Sequence, residues 1–224
     1  MPNPHPARRF RTITNRTLAS NSDIGRKTAQ AYAAHARTYL RVWGQVRRRP
    51  RLLLDCLSLF PHGAAILDLG SGAGQDGRFI QKLGYRVTGL DLTWPFLQAA
   101  HRRSRLLPLI HADVRRLPFR PGSFDGVWAA ASLIHLPKSA VRKTLVDLQS
   151  VVKPKGTLAA TFVHGRRSGF LRSGWIPGRF FSRWYRAELA RAVEQAGWQV
   201  LHLRTVANRE RRGRWLNLLA RRRD

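Results

Sequence analysis

Residues 64–74 read AAILDLGSGAG, and the fold prediction begins there. The apolar run at 64–69 predicts a buried strand, and the glycines after it predict a tight turn. An amphipathic pattern then runs through Phe79 and Ile80 to Gly84, which predicts a helix that ends at this glycine. Because helix N-termini carry free backbone N–H groups, this order of elements is typical of ligand sites at the carboxyl edge of an α/β sheet.

The alternation of strand and helix continues after this unit. Further strands are predicted at 86–90, 107–111, 124–131 and 156–163, with helical patterns between them. A last helix, carrying Leu189 and Val193, precedes two strands at 198–206 and 215–219, whose short link requires an antiparallel hairpin. The sequence therefore predicts an α/β, Rossmann-like fold: a doubly wound, mostly parallel seven-stranded sheet with a C-terminal antiparallel hairpin.

Changes of composition along the chain predict its organisation. Residues 1–27 are rich in Pro, Asn, Ser, Thr and Arg and are interpreted as a basic flexible N-terminal arm. An organellar transit peptide has a similar composition, so that alternative stays open. Residues 28–224 are predicted to form one domain. Its parts are N-terminal helices at 28–60, a ligand-binding core at 64–163, an irregular aromatic-rich insertion at 164–184, and the last helix with the hairpin at 185–224.

The composition argues against several classes of protein. The chain has 224 residues, a single cysteine, Cys56, and no apolar run of the length of a membrane span. We expect no disulfide framework, no cysteine-rich zinc site and no secretory signal, and therefore a cytoplasmic protein. Lys and Arg number 41 against 12 Asp and Glu, which gives a net charge of +29. This charge favours contact with polyanions such as nucleic acid, acidic lipid surfaces or acidic carrier proteins, unless it reflects only a general enrichment in arginine.

In so basic a chain, acids at the ends of strands are candidates for function. Asp68 lies just before the glycine turn, and Asp91 ends the second predicted strand, where a carboxylate can accept both hydroxyl hydrogens of a ribose. Two cofactor classes fit this pattern. Residues 72–77, GAGQDG, match G-x-G-x-x-G with Asp91 at dinucleotide spacing, although the first glycine after the strand is Gly70. Asp68 can instead reach a cationic amino group, which an amino acid-bearing nucleoside has and a dinucleotide lacks.

The later segments carry a resemblance to a known family. Asp113 precedes LPF at 117–119, FDGVW lies at 124–128, and VVKPKG lies at 151–156. This order resembles the class I S-adenosylmethionine-dependent methyltransferases, and among them the methyltransferase type 11/25 superfamily, over about residues 28–222. The strings FDGVWAAASLIHLP at 124–137, GRFF at 178–181 and WLNLLAR at 215–221 resemble small bacterial members. The resemblance implies S-adenosyl-L-methionine as cofactor and a methyltransferase activity.

The resemblance also implies roles for individual residues. The cofactor-binding set is Asp68, Gly70, Ser71, Gly72, Gly74, Asp91, Leu92, Asp113, Val114 and Ala130. In this set the glycines and Ser71 line the methionine part, Asp68 contacts its amino group directly or through water, and Asp91 binds the ribose. Leu92 lies against the adenine, Asp113 accepts from the adenine amino group, Val114 offers backbone contacts, and Ala130 faces the sulfonium. Asp125 is interpreted as structural, and no metal site is predicted.

Residues of the acceptor side have two interpretations each. His135 follows the fourth strand and is a candidate catalytic general base, or a residue that orients the loop. Arg179 and Phe180 are candidates for binding an acceptor's carboxylate or phosphate and its apolar body, or for anchoring the insertion. Trp175 and Trp184 are interpreted as packing residues. We expect the N-terminal helix, predicted from Thr28 to Gly44, to form a lid over the acceptor together with the insertion.

One function is favoured, and others stay open. The favoured one is in-line methyl transfer to a small-molecule acceptor, which needs alignment and exclusion of water more than a unique catalytic residue. The second is an RNA or protein methyltransferase, which the net charge of +29 suggests. The third is a non-catalytic cofactor-binding protein that docks on nucleic acid, and a nucleotide oxidoreductase is the remaining enzyme alternative. Arginines at 8–11 and 221–223 are predicted to give nonspecific polyanion contact without selecting the acceptor.

Overall fold

The computed structural model describes residues 21–43, 51–208 and 213–224. The helices are α1 Asn21–Ala34, α2 Ala36–Trp43, α3 Arg51–Leu57, α4 Gln75–Lys82, α5 Trp94–Arg103, α6 Lys138–Val151 and α7 Arg186–Gln195. The strands are β1 Ala65–Leu69, β2 Arg86–Asp91, β3 Leu109–His111, β4 Phe124–Ala129, β5 Val152–His164, β6 Gly169–Phe170, β7 Phe180–Phe181, β8 Arg183–Trp184, β9 Trp198–Asn208 and β10 Gly213–Arg222. A single 3-10 turn, Leu133–His135, follows β4.

The central sheet has the strand order β3-β2-β1-β4-β5-β10-β9. The first five strands pair in parallel, whereas β10 is antiparallel to both β5 and β9. The predicted Rossmann-like fold with a C-terminal antiparallel hairpin is therefore confirmed. One detail differs, because the two-residue strand β8 adds to the end of β5 as an eighth strand. A separate two-stranded sheet joins β6 to β7 within the insertion.

Helices cover both faces of the sheet, as the alternation predicted. Neighbouring residues of β4 show the division, because Val127 belongs to the hydrophobic cluster under α6 and α7, whereas Trp128 belongs to the cluster under α3, α4 and α5. Successive side chains of a strand point to opposite faces, so a single buried strand supplies both cores. Leu148 and Ile80 are representative helix residues of the two clusters, and both are fully buried.

The N-terminal region differs from its prediction in two ways. α1 begins at Asn21, not at Thr28, so residues 21–27 of the predicted flexible arm are helical, while residues 1–20 lie outside the described residues. Asp23 accounts for the earlier start, because a carboxylate in the first turn is favourable and it pairs with Arg26 and Lys27 at 3.1 and 2.6 Å. The predicted single helix is also broken at His35 into α1 and α2. Gly44, its predicted end, lies outside the described residues.

The C-terminal arginines are part of the sheet. Arg221 and Arg222 belong to β10, and Arg222 Nη1 donates to the carbonyl oxygen of Val152. These two arginines thus lie at the end of the sheet, and the polyanion contact predicted for 221–223 stays a prediction. Within the described ranges, none of the helices has the length and apolarity that crossing a bilayer requires. The cytoplasmic location stays a prediction.

Asp125 connects the beginnings of three parallel strands. Its Oδ2 accepts from the backbone N–H of Ala65 at 2.7 Å, and its Oδ1 pairs with Lys153 Nζ at 2.7 Å. Although burial acts in the opposite direction, the hydrogen bonds from Lys153 and Ala65 hold the pKa of Asp125 below its usual value. The contacts agree with the structural interpretation of this residue.

Asp125→Asn should lower the free energy of unfolding by about 1–2 kcal/mol at neutral pH, because one charged hydrogen-bond acceptor is lost. A carboxyl group with a depressed folded-state pKa stabilises the protein above its unfolded-state pKa of about 3.9, and this contribution is lost as the pH falls through the folded-state value. Urea unfolding near neutrality and near pH 3 should therefore show a difference that disappears in acid. Asp147→Asn is the control, because Asp147 pairs with Lys143 on the surface of α6 and should cost about 0.5 kcal/mol or less. An equal loss of unfolding free energy in the two variants would contradict the structural role of Asp125.

Candidate active site

One cavity of about 810 Å³ lies at the carboxyl edge of the parallel strands. Its floor is formed by the turns that follow β1, β2, β3 and β4, and its walls come from α1, α2, the 164–184 segment and the start of β10. Open α/β sheets bind ligands at this edge. The N-terminal helices and the insertion line the cavity at this edge, and their role as a lid over the acceptor stays a prediction.

The glycine turn forms one end of the cavity, and its backbone is held by β2. Gly70 N–H and Ser71 N–H both donate to the carbonyl oxygen of Leu90, at 2.7 and 3.0 Å. Gly70 has φ +76°, and a Cβ there would overlap Ser132 Cβ. At Gly72, with φ +54°, a Cβ would lie 3.1 Å from Tyr39 Oη. Only glycine fits at these two positions, because a side chain would be strained and would fill the space beside the turn.

Asp91 connects the same turn to the end of β2. Its Oδ2 accepts from Gly72 N–H at 2.8 Å and its Oδ1 accepts from Thr93 N–H at 2.7 Å. Burial raises the pKa of Asp91, and hydrogen bonds from the backbone and side chain of Thr93 and from the backbone of Gly72 oppose the increase. The two carboxylate oxygens have four lone-pair positions, so the group retains capacity to accept from a ligand. Asp91 is therefore at once a support of the turn and a polar group of the cavity.

Nine of the thirteen predicted site residues line the cavity: Gly70, Gly72, Asp91, Leu92, Asp113, Val114, Ala130, His135 and Arg179. The four others do not: Asp68, Ser71, Gly74 and Phe180. The structure thus brings most of the predicted set together around one space.

Asp68 lies behind the cavity wall, beneath the start of α4. It is buried, and a Cβ at Gly77 would lie 3.2 Å from its Oδ2. Burial raises the pKa of Asp68 well above its usual value, and the charges of Asp76 and Asp91 raise it further. Asp68 is therefore outside the cavity lining, and its predicted contact with the cofactor amino group, directly or through water, stays a prediction.

Packing explains why the other three residues lie outside the cavity lining, while their predicted roles stay untested. Ser71 turns its side chain toward β2, since a Cβ at Gly89 would lie 2.9 Å from Ser71 Oγ. Gly74 allows close packing of α4, because a Cβ there would lie 2.9 Å from Leu107 Cδ2. Phe180 directs its ring at Phe170, with the ring centroids 5.4 Å apart, and it is the next residue, Phe181, that lines the cavity.

Asp113 lines the cavity with its carboxylate held by Arg115. Arg115 Nε lies 2.9 and 3.1 Å from the two carboxylate oxygens, and Arg115 N–H donates to Oδ1 at 2.9 Å. Arg115 extends to α1, where a Cβ at Gly25 would lie 3.4 Å from its Nη2. The acid is therefore fixed in one orientation at the mouth of β3.

Both ring nitrogens of His135 have hydrogen-bond partners. Because the carbonyl oxygen of Phe180 can only accept, His135 Nδ1 is the donor in that 2.7 Å hydrogen bond. In the neutral ring Nε2 then accepts from Tyr32 Oη at 3.0 Å. These contacts fit the loop-orienting interpretation of His135, while its role as a general base stays a prediction.

Comparison with known proteins places this site in a family. Residues 66–156 match the methyltransferase domain family. The chain is 27% identical over 175 residues to malonyl-[acyl-carrier protein] O-methyltransferase of Pseudescherichia vulneris, across 77% of this chain and 66% of that protein. Its structure superimposes on 1,6-didemethyltoxoflavin-N1-methyltransferase of Burkholderia thailandensis, crystallised with 1,6-didemethyltoxoflavin and S-adenosylhomocysteine, with a TM-score of 0.76, 19% identity and 94% of each chain covered. Residues 66–156 thus carry a methyltransferase domain, and the chain has the fold of the class I S-adenosylmethionine-dependent methyltransferases.

Other methyltransferases match over shorter lengths. The demethylmenaquinone methyltransferase of Tropheryma whipplei is 33% identical over 108 residues, which are 47% of this chain and 44% of that protein. The chain spans between 44% and 66% of the length of the malonyl-[acyl-carrier protein] O-methyltransferases that it matches. The matched domain, 66–156, contains the glycine turn and the acids, whereas α1, α2 and the 164–184 segment lie outside it.

Several residues that line the cavity are not in the predicted site set. Tyr32 and Tyr39 are two of them, and both lie in the predicted N-terminal helix. Trp175 was interpreted as packing, and it is 41% exposed and lines the cavity, whereas Trp184 is fully buried as expected. Ser132 lines the cavity, and its buried Oγ has no hydrogen-bond partner among the residues that the structure describes. The sequence signal that could have identified Tyr32, Tyr39 and Trp175 is the presence of aromatic residues on the predicted N-terminal helix and in the 164–184 insertion, two segments in which no acid marks a site.

Gly70→Ala should destabilise the protein by about 1–3 kcal/mol more than Gly122→Ala, because overlap with Ser132 adds to the strain of a positive φ. Gly122 is the matched control, since its φ is +63° and a Cβ there would meet nothing within 4 Å. Urea unfolding of both variants measures the difference. Ser132→Gly should recover most of the excess in the Gly70→Ala background, and a double variant as unstable as the sum of its single changes would refute the contact.

Proposed function

We propose that the chain catalyses S-adenosylmethionine-dependent methyl transfer to a small-molecule acceptor. The observation that carries the proposal is that one cavity is lined both by the glycine turn with its acids and by α1, α2 and the 164–184 segment. We call the part beside α1, α2 and this segment the acceptor chamber, and a concave space of this kind beside the cofactor end suits a small-molecule acceptor. The names of the relatives above give malonyl-[acyl-carrier protein], demethylmenaquinone and 1,6-didemethyltoxoflavin as substrates, and the last two of these are small molecules that support this class.

The residues at the turn fit the cofactor. Gly70 and Gly72 leave open the space in which a methionine moiety would lie, and Asp91 retains capacity to accept from ribose hydroxyls. Leu92 and Val114 offer apolar surface for an adenine beside the fixed carboxylate of Asp113. Bound S-adenosylmethionine would supply an electrophilic methyl group on a positively charged sulfur.

The protein contributes alignment and exclusion of water. Asp91 and the turn would fix the cofactor, and Ala130 and Ser132 after β4 would face the reacting end. The rings of Tyr32 and Tyr39 close the cavity from the side of α1 and α2. A fixed pair of reactants in a dry cavity lowers the barrier without a dedicated catalytic group.

His135 acts in this proposal first as a positioning residue. Its Nε2 faces Tyr32 Oη, so it holds α1 against the loop after β4. A base is needed only for an acceptor whose nucleophilic atom carries a proton. For such an acceptor, His135 would take up the proton after Tyr32 Oη has moved aside.

The other candidate functions have weaker support. The similarity to methyltransferases does not favour a nucleotide oxidoreductase or a non-catalytic binding protein. The net charge of +29 is the observation behind an RNA or protein acceptor, and it leads to a separate proposal below.

Asp91→Ala should weaken binding of S-adenosylhomocysteine by about 2–4 kcal/mol, because the acceptor for two ribose hydroxyls and a support of the turn are both removed. Calorimetry measures the affinity, and thermal unfolding shows that the variant is folded. Asp147→Ala, on the surface of α6, should bind like the parent chain. An unchanged affinity in Asp91→Ala, or binding of NAD in place of S-adenosylhomocysteine, would count against the proposal.

The acceptor class is tested with methyl-labelled cofactor and host extract, with Asp91→Ala as the inactive reference. The extract is separated into small molecules, RNA and protein. Label in the small-molecule fraction supports the proposal, and label confined to RNA or protein would replace it with the second candidate function.

We also propose that residues 1–20 give nonspecific affinity for polyanions. They contain arginines at 8, 9, 11 and 16 and no acid, and phosphate contacts carry no base identity. Removing residues 1–20 should weaken RNA binding and leave the affinity for S-adenosylhomocysteine nearly unchanged. Electrophoretic shifts at several salt concentrations should show a steep loss of binding with salt. A preference for one RNA that persists at high salt would contradict this proposal.

A further inference from the structure

Arg179 is a buried cation that faces the cavity. It belongs to the 164–184 segment, lines the acceptor chamber and is 6% exposed. Three aromatic rings surround its guanidinium, those of Tyr32, Trp175 and Phe181, at 5.3, 5.1 and 5.2 Å from the ring centroids. Such rings attract a cation but accept no strong hydrogen bonds from it.

Most of the hydrogen-bonding capacity of this guanidinium is unused. Arg179 Nε donates to the carbonyl oxygen of Ile176 at 2.8 Å, and Nη1 donates to Tyr32 Oη at 3.3 Å. A guanidinium has five N–H donors, so three of them lack an acceptor among the residues that the structure describes. No carboxylate in the described ranges pairs with Arg179. A buried charge with unsatisfied donors is costly, and a bound anion would remove that cost.

Charge is divided along the cavity. The acids that line it, Asp91 and Asp113, follow β2 and β3, and both already accept hydrogen bonds from the protein. On the β5 and β10 side the lining cations are Arg179, Arg183 and Arg214, for which the described residues offer no carboxylate partner. The acceptor chamber is thus positive, whereas the negative groups belong to the cofactor end.

We infer that the acceptor carries a carboxylate or phosphate group and that Arg179 binds this group through its free N–H donors. The inference rests on the proposed function and specifies its substrate class. An anchoring role alone would account for the bonds to Ile176 and Tyr32, but it leaves three donors unused, and Nη2, which carries two of them, is not among the fully buried unpaired atoms, so it is accessible to a ligand. Charge-assisted hydrogen bonds to an oxyanion satisfy these donors, and guanidinium geometry suits both oxyanions.

A hydrogen-bonded chain holds the guanidinium in place. Tyr32 Oη accepts from Arg179 and donates to His135 Nε2, and His135 Nδ1 donates to the carbonyl oxygen of Phe180. Tyr32 and His135 therefore act as positioning residues for Arg179. The anion would bind beside aromatic rings, so an acceptor with an apolar body next to its charged group fits the chamber.

The test compares benzoate, phenyl phosphate and neutral benzamide by calorimetry with the chain saturated in S-adenosylhomocysteine. We expect benzoate, phenyl phosphate or both to bind about tenfold or more tightly than benzamide. The anion that binds more tightly shows whether the acceptor group is a carboxylate or a phosphate. Arg179→Gln should lose the preference, Arg179→Lys should retain part of it, and Arg166→Gln should retain all of it, because Arg166 is exposed and lies outside the cavity lining.

The outcomes separate this inference from the proposed function. Binding of S-adenosylhomocysteine with no preference for anions over benzamide in the parent chain would overturn the inference and leave the proposed function standing. An anion preference that survives in folded Arg179→Gln would also overturn it. Failure of the parent chain to bind S-adenosylhomocysteine would overturn the proposed function. Titration of the anions in the absence of S-adenosylhomocysteine would still show whether Arg179 binds them. Thermal unfolding establishes that each variant is folded, and the comparison in the parent chain needs no variant.

Discussion

The backbone of the glycine turn depends on two consecutive residues of β2. Leu90 accepts from the N–H groups of Gly70 and Ser71, and the carboxylate of Asp91 accepts from that of Gly72. Three successive N–H groups are thereby directed at one strand end, which closes the turn and leaves its concave side to the cavity. This constraint sets where α4 starts and shapes one end of the cavity. It also allows Ser132, in the loop after β4, to approach Gly70 closely.

The few acids of this basic chain mostly organise structure. Asp125 joins the starts of β1, β4 and β5, Asp91 holds the glycine turn, and Asp113 fixes Arg115. Asp91 and Asp113 are engaged on the cofactor side and Asp125 lies at the opposite edge of the sheet, so the cations of the acceptor chamber stay without acidic partners in the described part of the chain. The uneven use of acids thus gives the cavity two ends of different charge, which is the physical basis for the proposed anionic acceptor.

The two ends of the cavity are also built differently. The cofactor end comes from strand, turn and helix units in which the contacting residues are near in sequence, such as Asp91 and Thr93. The other end depends on contacts between distant segments: Tyr32 meets His135 across 103 residues and Arg179 across 147. It lies mostly outside the matched domain at 66–156, so acceptor recognition rests on segments that the family similarity does not cover.

Local patterns in the sequence determined the order of strands and helices, the glycine turn and the positions of the acids at strand ends. They determined these features because periodicity and turn chemistry act over a few residues, and parallel strand ends meet at one edge. Tertiary structure alone decided that Asp91 lines the cavity and Asp68 lies behind it, and that Phe181 rather than Phe180 faces inward. Adjacent residues in an extended chain point in opposite directions, so the choice depends on what packs against each side. The same holds for Arg179, whose surplus of donors became apparent only when α1 and the 164–184 segment were brought together around it.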